Sequence, residues 1–233
     1  MRELDPGFRN ELKFVISAAQ IPLFKSRLLP LLQHDSNAGE DGSYKIRSLY
    51  FDDYRNTSFY ENENGVAPRE KFRIRIYNGS DTRIVLECKQ KQQGKTHKEQ
   101  CPLTREQADR LIAGKAFSVS AGQPPLLRKL LLQMQLRRLR PAMIVEYERV
   151  PYVCRNGNVR VTFDTNISSS PDVEHFFAQN VQKRPVMPAG QHLLEVKYDA
   201  YLPDAVYEAL NLSGLRQETF SKYYLCRKFT VRK

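Results

Sequence analysis

The chain has no apolar run approaching the ~20 residues that a membrane-spanning helix requires. It also has no tryptophan and only four cysteines. The first absence excludes a helical membrane protein. The N-terminus, MRELDPGFRNELKF, has acids and no apolar centre, so no secretory signal and a cytoplasmic protein are expected. Cys88, Cys101, Cys154 and Cys226 show neither CxxC nor histidine-paired spacing, so no structural zinc is expected and reduced thiols are the default. Acids are also scarce relative to bases, 26 against 37, for a formal net charge of +11. That balance favours polyanionic partners: nucleic acid, phosphorylated small molecules, inorganic phosphate chains or an acidic membrane surface. With 41% hydrophobic residues in 233, the chain has enough apolar material for a sizeable core, and a single domain over 1–233 is expected.

The positions of the charges say more than their number. Lys71, Arg73 and Arg75 alternate with Phe72, Ile74 and Ile76, so at the period of a strand one face is cationic and the other apolar. After a turn at Asn78-Gly79-Ser80-Asp81, Arg83, Val85, Glu87 and Lys89 share one face, opposite Ile84, Leu86 and Cys88. Other segments repeat the pattern. Glu11 and Lys13 share a parity, as do Lys45 and Arg47, Arg160 with Thr162 and Asp164, and Glu195 with Lys197; Tyr147 and Arg149 fall together.

Between these strands the sequence predicts helices. Ser17 to Gln20 has the form of a capping box before an apolar stripe from Ile21 to Leu32, which Pro30 shortens or kinks. Thr104 to Gln107 is a second capping box, and Gly114 closes its helix. Residues 124–140 form a helix started by proline, its cations on a solvated side. Short helices are expected near Val173 to Phe177 and over Asp204 to Leu212; the aromatic segment around Phe59 and Tyr60 reads equally as helix or strand.

One Glu-Lys couple is an ordinary cross-strand ion pair. Repeated on many strands, the pattern implies an α+β fold: a closed or nearly closed antiparallel β tunnel of about eight strands, flanked by helices. The apolar halves pack outward and Arg47, Arg73, Arg75, Glu87, Lys89, Arg160, Glu195 and Lys197 face the lumen. Guanidinium forks and ammonium groups suit phosphate esters. Glu11, Glu87 and Glu195 would repel phosphate unless a divalent cation, magnesium or manganese, bridged them to it.

The ordered motifs ELKF (11–14), SLYFD (48–52), KFRIRIY (71–77), LECKQK (86–91), VEYERVPY (145–152), VRVTFD (159–164), LLEVKY (193–198) and FSKY (220–223) resemble the VTC domain of polyphosphate polymerases. That family is a branch of the triphosphate tunnel, or CYTH-like, superfamily. The resemblance implies metal-dependent phosphoryl transfer, with polyphosphate built from the terminal phosphate of ATP and manganese or magnesium as cofactor. It assigns Lys13, Arg73, Arg75, Lys89, Lys98, Arg149 and Arg160 to phosphates, Tyr147 to the same site, Glu195 to the metal and Lys222 to the terminal phosphate. Arg73, Arg75 and Lys222 are the candidates closest to the chemistry; Arg47 and Lys197 enter as phosphate ligands from parity alone, and Glu11 and Glu87 as assisting metal ligands. Strand parity gives no reason to select Lys98 or Lys222.

The eukaryotic representatives are parts of a larger membrane complex with a phosphate-sensing domain and transmembrane helices that this sequence lacks. A protein partner, hydrolysis of a triphosphate or polyphosphate, and binding without catalysis therefore stay open. Nucleic acid ranks below them: Phe72 alternates away from Arg73 and Arg75, and glutamates share the cationic faces.

Overall fold

The protein is described by a computed structural model over residues 7–231; the first six residues of the N-terminal stretch read above lie outside it. Its strands are β1 (Asn10–Ser17), β2 (Gln33–His34), β3 (Tyr44–Asp52), β4 (Arg69–Tyr77), β5 (Ser80–Gln92), β6 (Lys95–Leu103), β7 (Arg140–Cys154), β8 (Val159–Ser170), β9 (Arg184–Pro185) and β10 (Gln191–Tyr198). Its helices are α1 (Gln20–Leu28), α2 (Thr57–Glu63), α3 (Arg105–Ile112), α4 (Pro125–Leu136), α5 (Asp204–Ala209) and α6 (Lys222–Val231). Eight strands lie in the order β1-β10-β8-β7-β3-β4-β5-β6, all antiparallel, with β2 beside β7 and β9 beside β8.

The two ends of that order approach each other. Arg9, just ahead of β1, exchanges backbone hydrogen bonds of 2.9 and 3.0 Å with Thr96 on β6. The sheet is therefore a strongly curled, nearly closed tunnel flanked by helices, as expected. The β4–β5 connection uses Asn78 (φ 53°) and Gly79 (φ 70°); two successive positive φ values give the turn whose twist matches the flanking strands.

Apolar halves of the strands pack outward. Phe72, Ile74, Leu86 and Cys88 are buried under Leu111 of α3 and Leu127, Leu130 and Leu131 of α4. Each such side chain contributes about 2 kcal/mol on burial, which fixes the apolar stripe of α4 inward regardless of its cations. Phe14, Val161, Phe163, Leu194 and Val196 pack in the same way against Phe24 and Leu28 of α1 and Val206 of α5. A third cluster lies inside: Val145 and Leu193, on the faces of Tyr147 and Glu195, bury against Phe59 of α2 and Tyr223 and Cys226 of α6. The inner face is thus charged over part of its length and apolar where α2 and α6 plug it.

Local expectations hold in part. The Thr104–Gln107 box caps α3 through both reciprocal hydrogen bonds, at 3.1 and 3.0 Å. Ser17, by contrast, is the last residue of β1; Gln20 Oε1 accepts from its backbone N–H at 2.8 Å, and α1 starts without a side-chain cap and ends at Leu28, two residues before Pro30. The aromatic segment is helical, as α2.

Arg47 does not face the lumen. On β3 the inward parity is Tyr44, Ile46, Ser48 and Tyr50, because Leu49 and Phe51 are drawn into the outer core and Arg47 shares their side. There it is buried, donating to Glu146 at 2.6 Å and to the carbonyls of Phe176 and Ala178 at 2.9 and 2.6 Å. Arg47→Ala should therefore cost about 3 kcal/mol by leaving a buried carboxylate short of its partner, while tripolyphosphate affinity of the folded variant stays unchanged. Denaturant titration alongside calorimetric binding tests both halves of this expectation.

Candidate phosphate site in the tunnel

The tunnel encloses a cavity of about 490 Å³ lined, among the described residues, by thirteen lysine and arginine side chains and two carboxylates, Glu11 and Glu195. Strands β1, β4, β5, β8 and β10 supply cations because the alternation read from the sequence holds there, whereas β3 supplies only Tyr44, Ile46 and Tyr50. Arg73, Arg75, Lys13, Lys89, Lys98, Tyr147, Arg149, Arg160, Lys197 and Lys222 all line it, with Glu11 and Glu195. Arg47 and Glu87 do not.

Glu87 is on the inner face, opposite Arg73 across β4 and β5, but fully buried beneath the cations, 2.6 Å from Arg73, 3.4 Å from Arg75 and 3.2 Å from Lys98. Burial raises its pKa, yet these three cations outweigh burial and hold the carboxyl well below its ordinary range. It acts as a counter-ion that fixes two forks: Arg73 also donates to Tyr50 Oη at 2.8 Å and Arg75 to Ser48 Oγ at 3.1 Å. Glu87 therefore stands apart from the pair it was expected to assist in metal binding. Among the described residues no group of three or more histidine, cysteine or carboxylate side chains is placed to hold a metal ion.

Asp164 has the same part on the other wall and was not selected from the sequence, although its parity with Arg160 put it inside. It is fully buried, accepts two hydrogen bonds from Arg149 at 2.6 and 2.7 Å, and lies 2.7 Å from Lys222 Nζ. Its carboxyl is held low against burial by those two cations. Lys222 enters from the first turn of α6, reaches Glu195 at 2.9 Å and sits over the Tyr147 ring at 4.8 Å. No strand alternation encodes a helix residue at this position. Arg160 is held by Asp35 at 2.6 Å and donates to Tyr44 Oη at 2.9 Å.

Glu11 and Glu195 share two ammonium groups. Lys13 lies 3.4 and 3.7 Å from them, and Lys197 3.3 and 3.6 Å. Register explains it: Glu11 faces Lys197 and Lys13 faces Glu195 across β1 and β10. Glu11 also accepts from Lys89 of β5 at 2.8 Å, closing the seam of the tunnel. Burial opposes ionisation of both carboxylates, but Lys13, Lys89 and Lys197 around Glu11, and Lys222, Lys197, Lys13 and Arg149 around Glu195, keep them well below the usual range. Three lysines sharing Glu11 explain why it is strongly ionised while Lys89 is weakly compensated: burial pushes Lys89 down to about 7 despite Glu11.

Depressed carboxylates contribute stability that is fully present above the unfolded pKa of ~4 and is lost as pH falls through the lower folded values. Denaturant midpoints should accordingly hold near neutrality and drop below about pH 4. In Asp164→Asn, which leaves Arg149 and Lys222 short of their shared anion, stability at neutral pH should fall by about 3 kcal/mol and the acid-side slope should flatten. An unaltered slope would show that Asp164 is not one of the titrating counter-ions.

No curated protein matches the sequence. By fold, the chain is similar to a provisionally assigned adenylate cyclase from Bacillus halodurans, at 14% identity and a TM-score of 0.54, over 92% of this chain and 94% of that one. Two Pyrococcus horikoshii proteins align at 14% and 12% identity with TM-scores of 0.48 and 0.49, covering 97% and 93% of this chain and 99% and 98% of theirs. At such identity the Bacillus likeness is one of fold alone. The sequence itself matches the VTC domain over residues 8–231, so the chain belongs to the VTC domain family, and its near-closed β tunnel is the CYTH-like tunnel fold.

Proposed function

We propose that the protein binds the triphosphate of ATP in the tunnel and transfers its terminal phosphoryl group to phosphate or a polyphosphate chain, releasing ADP. The observation that carries this reading is the arrangement of lumen cations around retracted carboxylates. Glu87 and Asp164 hold Arg73, Arg75, Arg149 and Lys222 in place from behind, so these cations are oriented before any ligand arrives. Preorganised positive groups stabilise the charge of a phosphoryl group in flight without reorganising at the moment of reaction.

In the step itself the bond between the bridging oxygen and the terminal phosphorus breaks, its electron pair staying with ADP. An acceptor phosphate oxygen forms the new bond. Arg73 and Arg75 neutralise the transferred group, Lys89 and Arg160 hold neighbouring phosphates, and Lys222 aligns the acceptor end. That acceptor is already anionic and needs no base. Attack by water would require one, and Glu11 and Glu195, the carboxylates that line the cavity, are kept poorly basic by their lysines. These two carboxylates are therefore not the base that a hydrolysis would use.

The donor set of the cavity fits a divalent cation held by two protein carboxylates rather than three. Glu11 and Glu195, which share Lys13 and Lys197, would be the groups of this chain that hold magnesium or manganese, whose preference is for such hard oxygen donors. When bound, such an ion supplies charge compensation on the bridging and terminal oxygens.

Incubation with ATP labelled in its terminal phosphate, magnesium or manganese, and short polyphosphate should give labelled chains and ADP. In Arg73→Ala, turnover should fall about 10²-fold with weaker substrate binding. Labelled orthophosphate as the sole product would replace this reading with hydrolysis, and saturable binding without product would replace it with a receptor for polyphosphate.

A separate expectation concerns the ion. In calorimetric titrations of manganese into the tripolyphosphate-loaded protein, Glu195→Gln should lose most of the specific heat with its fold retained; unchanged metal affinity would remove Glu195 from that role.

A further inference from the structure

Among the described residues, ten of the thirteen cations lining the cavity lie within 4.0 Å of a carboxylate, and the three that do not, Arg69, Lys71 and Lys91, stand together. They occupy the first residues of β4 and the last of β5, with Arg69 directly opposite Lys91 in the ladder and Lys71 opposite Lys89. Like charges placed opposite each other on one face of a sheet are destabilising. Glu61, Asp52 and Glu11 act on them only from beyond 4.0 Å, and among the described residues none of the three cations is in an ion pair.

Lys71 shows this most clearly. Its ammonium donates only to neutral oxygens, Asn62 Oδ1 at 3.2 Å and Ser221 Oγ at 3.3 Å, and lies 5.4 Å from the centre of the Tyr223 ring. On its own strand it lies between Arg69 and Arg73; Lys13 of β1 and Lys89 of β5 add positive charge. The acids nearest in influence are committed elsewhere or stand off. Asp52 of β3 accepts from the Tyr223 hydroxyl at 2.6 Å and the Ser58 amide at 2.9 Å. Glu61 of α2 offers Arg69 its backbone carbonyl at 3.2 Å rather than its carboxylate. Burial, with Arg69 adding to it, pushes Lys71 down to about 7.

A compensated interior and an uncompensated end call for different ligands. The interior groups are positioned by the protein's own acids, whereas the end group gains its missing negative charge only from outside. We infer that Arg69, Lys71 and Lys91 form a separate phosphate subsite, filled by a phosphoryl unit of a linear chain that adjoins the units held by the paired cations. The inference rests on the binding reading proposed above and adds a residue set that selects for chain length. Filling the subsite places a phosphate oxygen beside Lys71, so its amine takes up a proton from solvent as the chain binds.

Metal-free calorimetry with tripolyphosphate, long-chain polyphosphate and orthophosphate, each in two buffers of different ionisation enthalpy, tests this. Long chains should bind the native protein with proton uptake, and their affinity should weaken as pH rises through about 7, the value to which Lys71 is depressed. Lys71→Met and Lys91→Met should each lower long-chain affinity by about tenfold, the loss of one charge-assisted hydrogen bond, with tripolyphosphate affinity unchanged. Lys71→Arg, which stays charged, should keep the affinity and lose the proton uptake. Equal losses for long chain and tripolyphosphate, or none for either, would overturn the subsite. Orthophosphate binding abolished by Lys71→Met, with no chain-length preference in the native protein, would overturn the chain assignment in favour of free phosphate. Failure of the native protein to bind tripolyphosphate at all would instead strike at the proposed function itself.

Discussion

The rest of the structure depends on one constraint: a group of cations enclosed by a nearly closed sheet must be neutralised from within the protein or they expel one another. Removing an ion from water costs several kcal/mol even after relaxation. The chain meets this cost with carboxylates set behind the cations. Glu87 and Asp164 are wholly buried, each bridging two or three basic groups, while Glu11 ties β1 to β5 across the seam and Glu195 ties β10 to β1, β7 and α6. These acids are part of the wall. They let the guanidinium and ammonium tips remain charged and oriented toward the cavity in the absence of ligand.

Where this network lies follows from how the tunnel is filled. The outer faces of the strands bury against α1, α3, α4 and α5, leaving the inner faces free of the usual packing. Along one part of the lumen α2 and α6 supply apolar side chains, and Tyr223 stacks on Tyr50 at 5.1 Å between ring centres. The boundary between this plug and the charged cavity is marked by Tyr147 and Lys222. The Tyr147 hydroxyl is shifted toward the anion, because Arg149, Arg75 and Lys222 outweigh burial. The same helix that closes the apolar end therefore delivers a cation to the polar one.

Ion pairs of this kind are weak evidence for stability but strong evidence for placement. A hydrophobic lumen of equal volume would fold at least as well. The charged one holds a cavity open and aims its groups into it. Compensation along β4 and β5 is uneven: Arg73 and Arg75 are paired with Glu87, and the unpaired end is the subsite proposed above for a ligand's counter-charge.

Much of this was legible in the sequence because a strand displays its two faces at a period of two. Lys13, Arg73, Arg75, Lys89, Arg149, Arg160, Glu195 and Lys197 declare their side by alternation with apolar neighbours, and the same alternation requires a sheet with one charged face and one apolar face. Alternation does not say which side becomes the lumen where both carry mixed residues. On β3 the outward pull of Leu49 and Phe51 decided against Arg47, and Glu146 then accepted it on the far side. Nor does alternation distinguish an acid that meets a ligand from one that sits behind a cation. Glu87 and Glu195 look alike along their strands, but strand order surrounds the first with Arg73, Arg75 and Lys98 and leaves the second on the cavity. Lys222 and the pairing of Glu11 with Lys89 depend on contacts between segments 27 and 78 residues or more apart. The sequence by itself determined the chemistry of each face; only the tertiary structure, through closure of the sheet and the docking of α6, decided which of those groups meet, because ion pairing acts over a few ångströms of space and not along the chain.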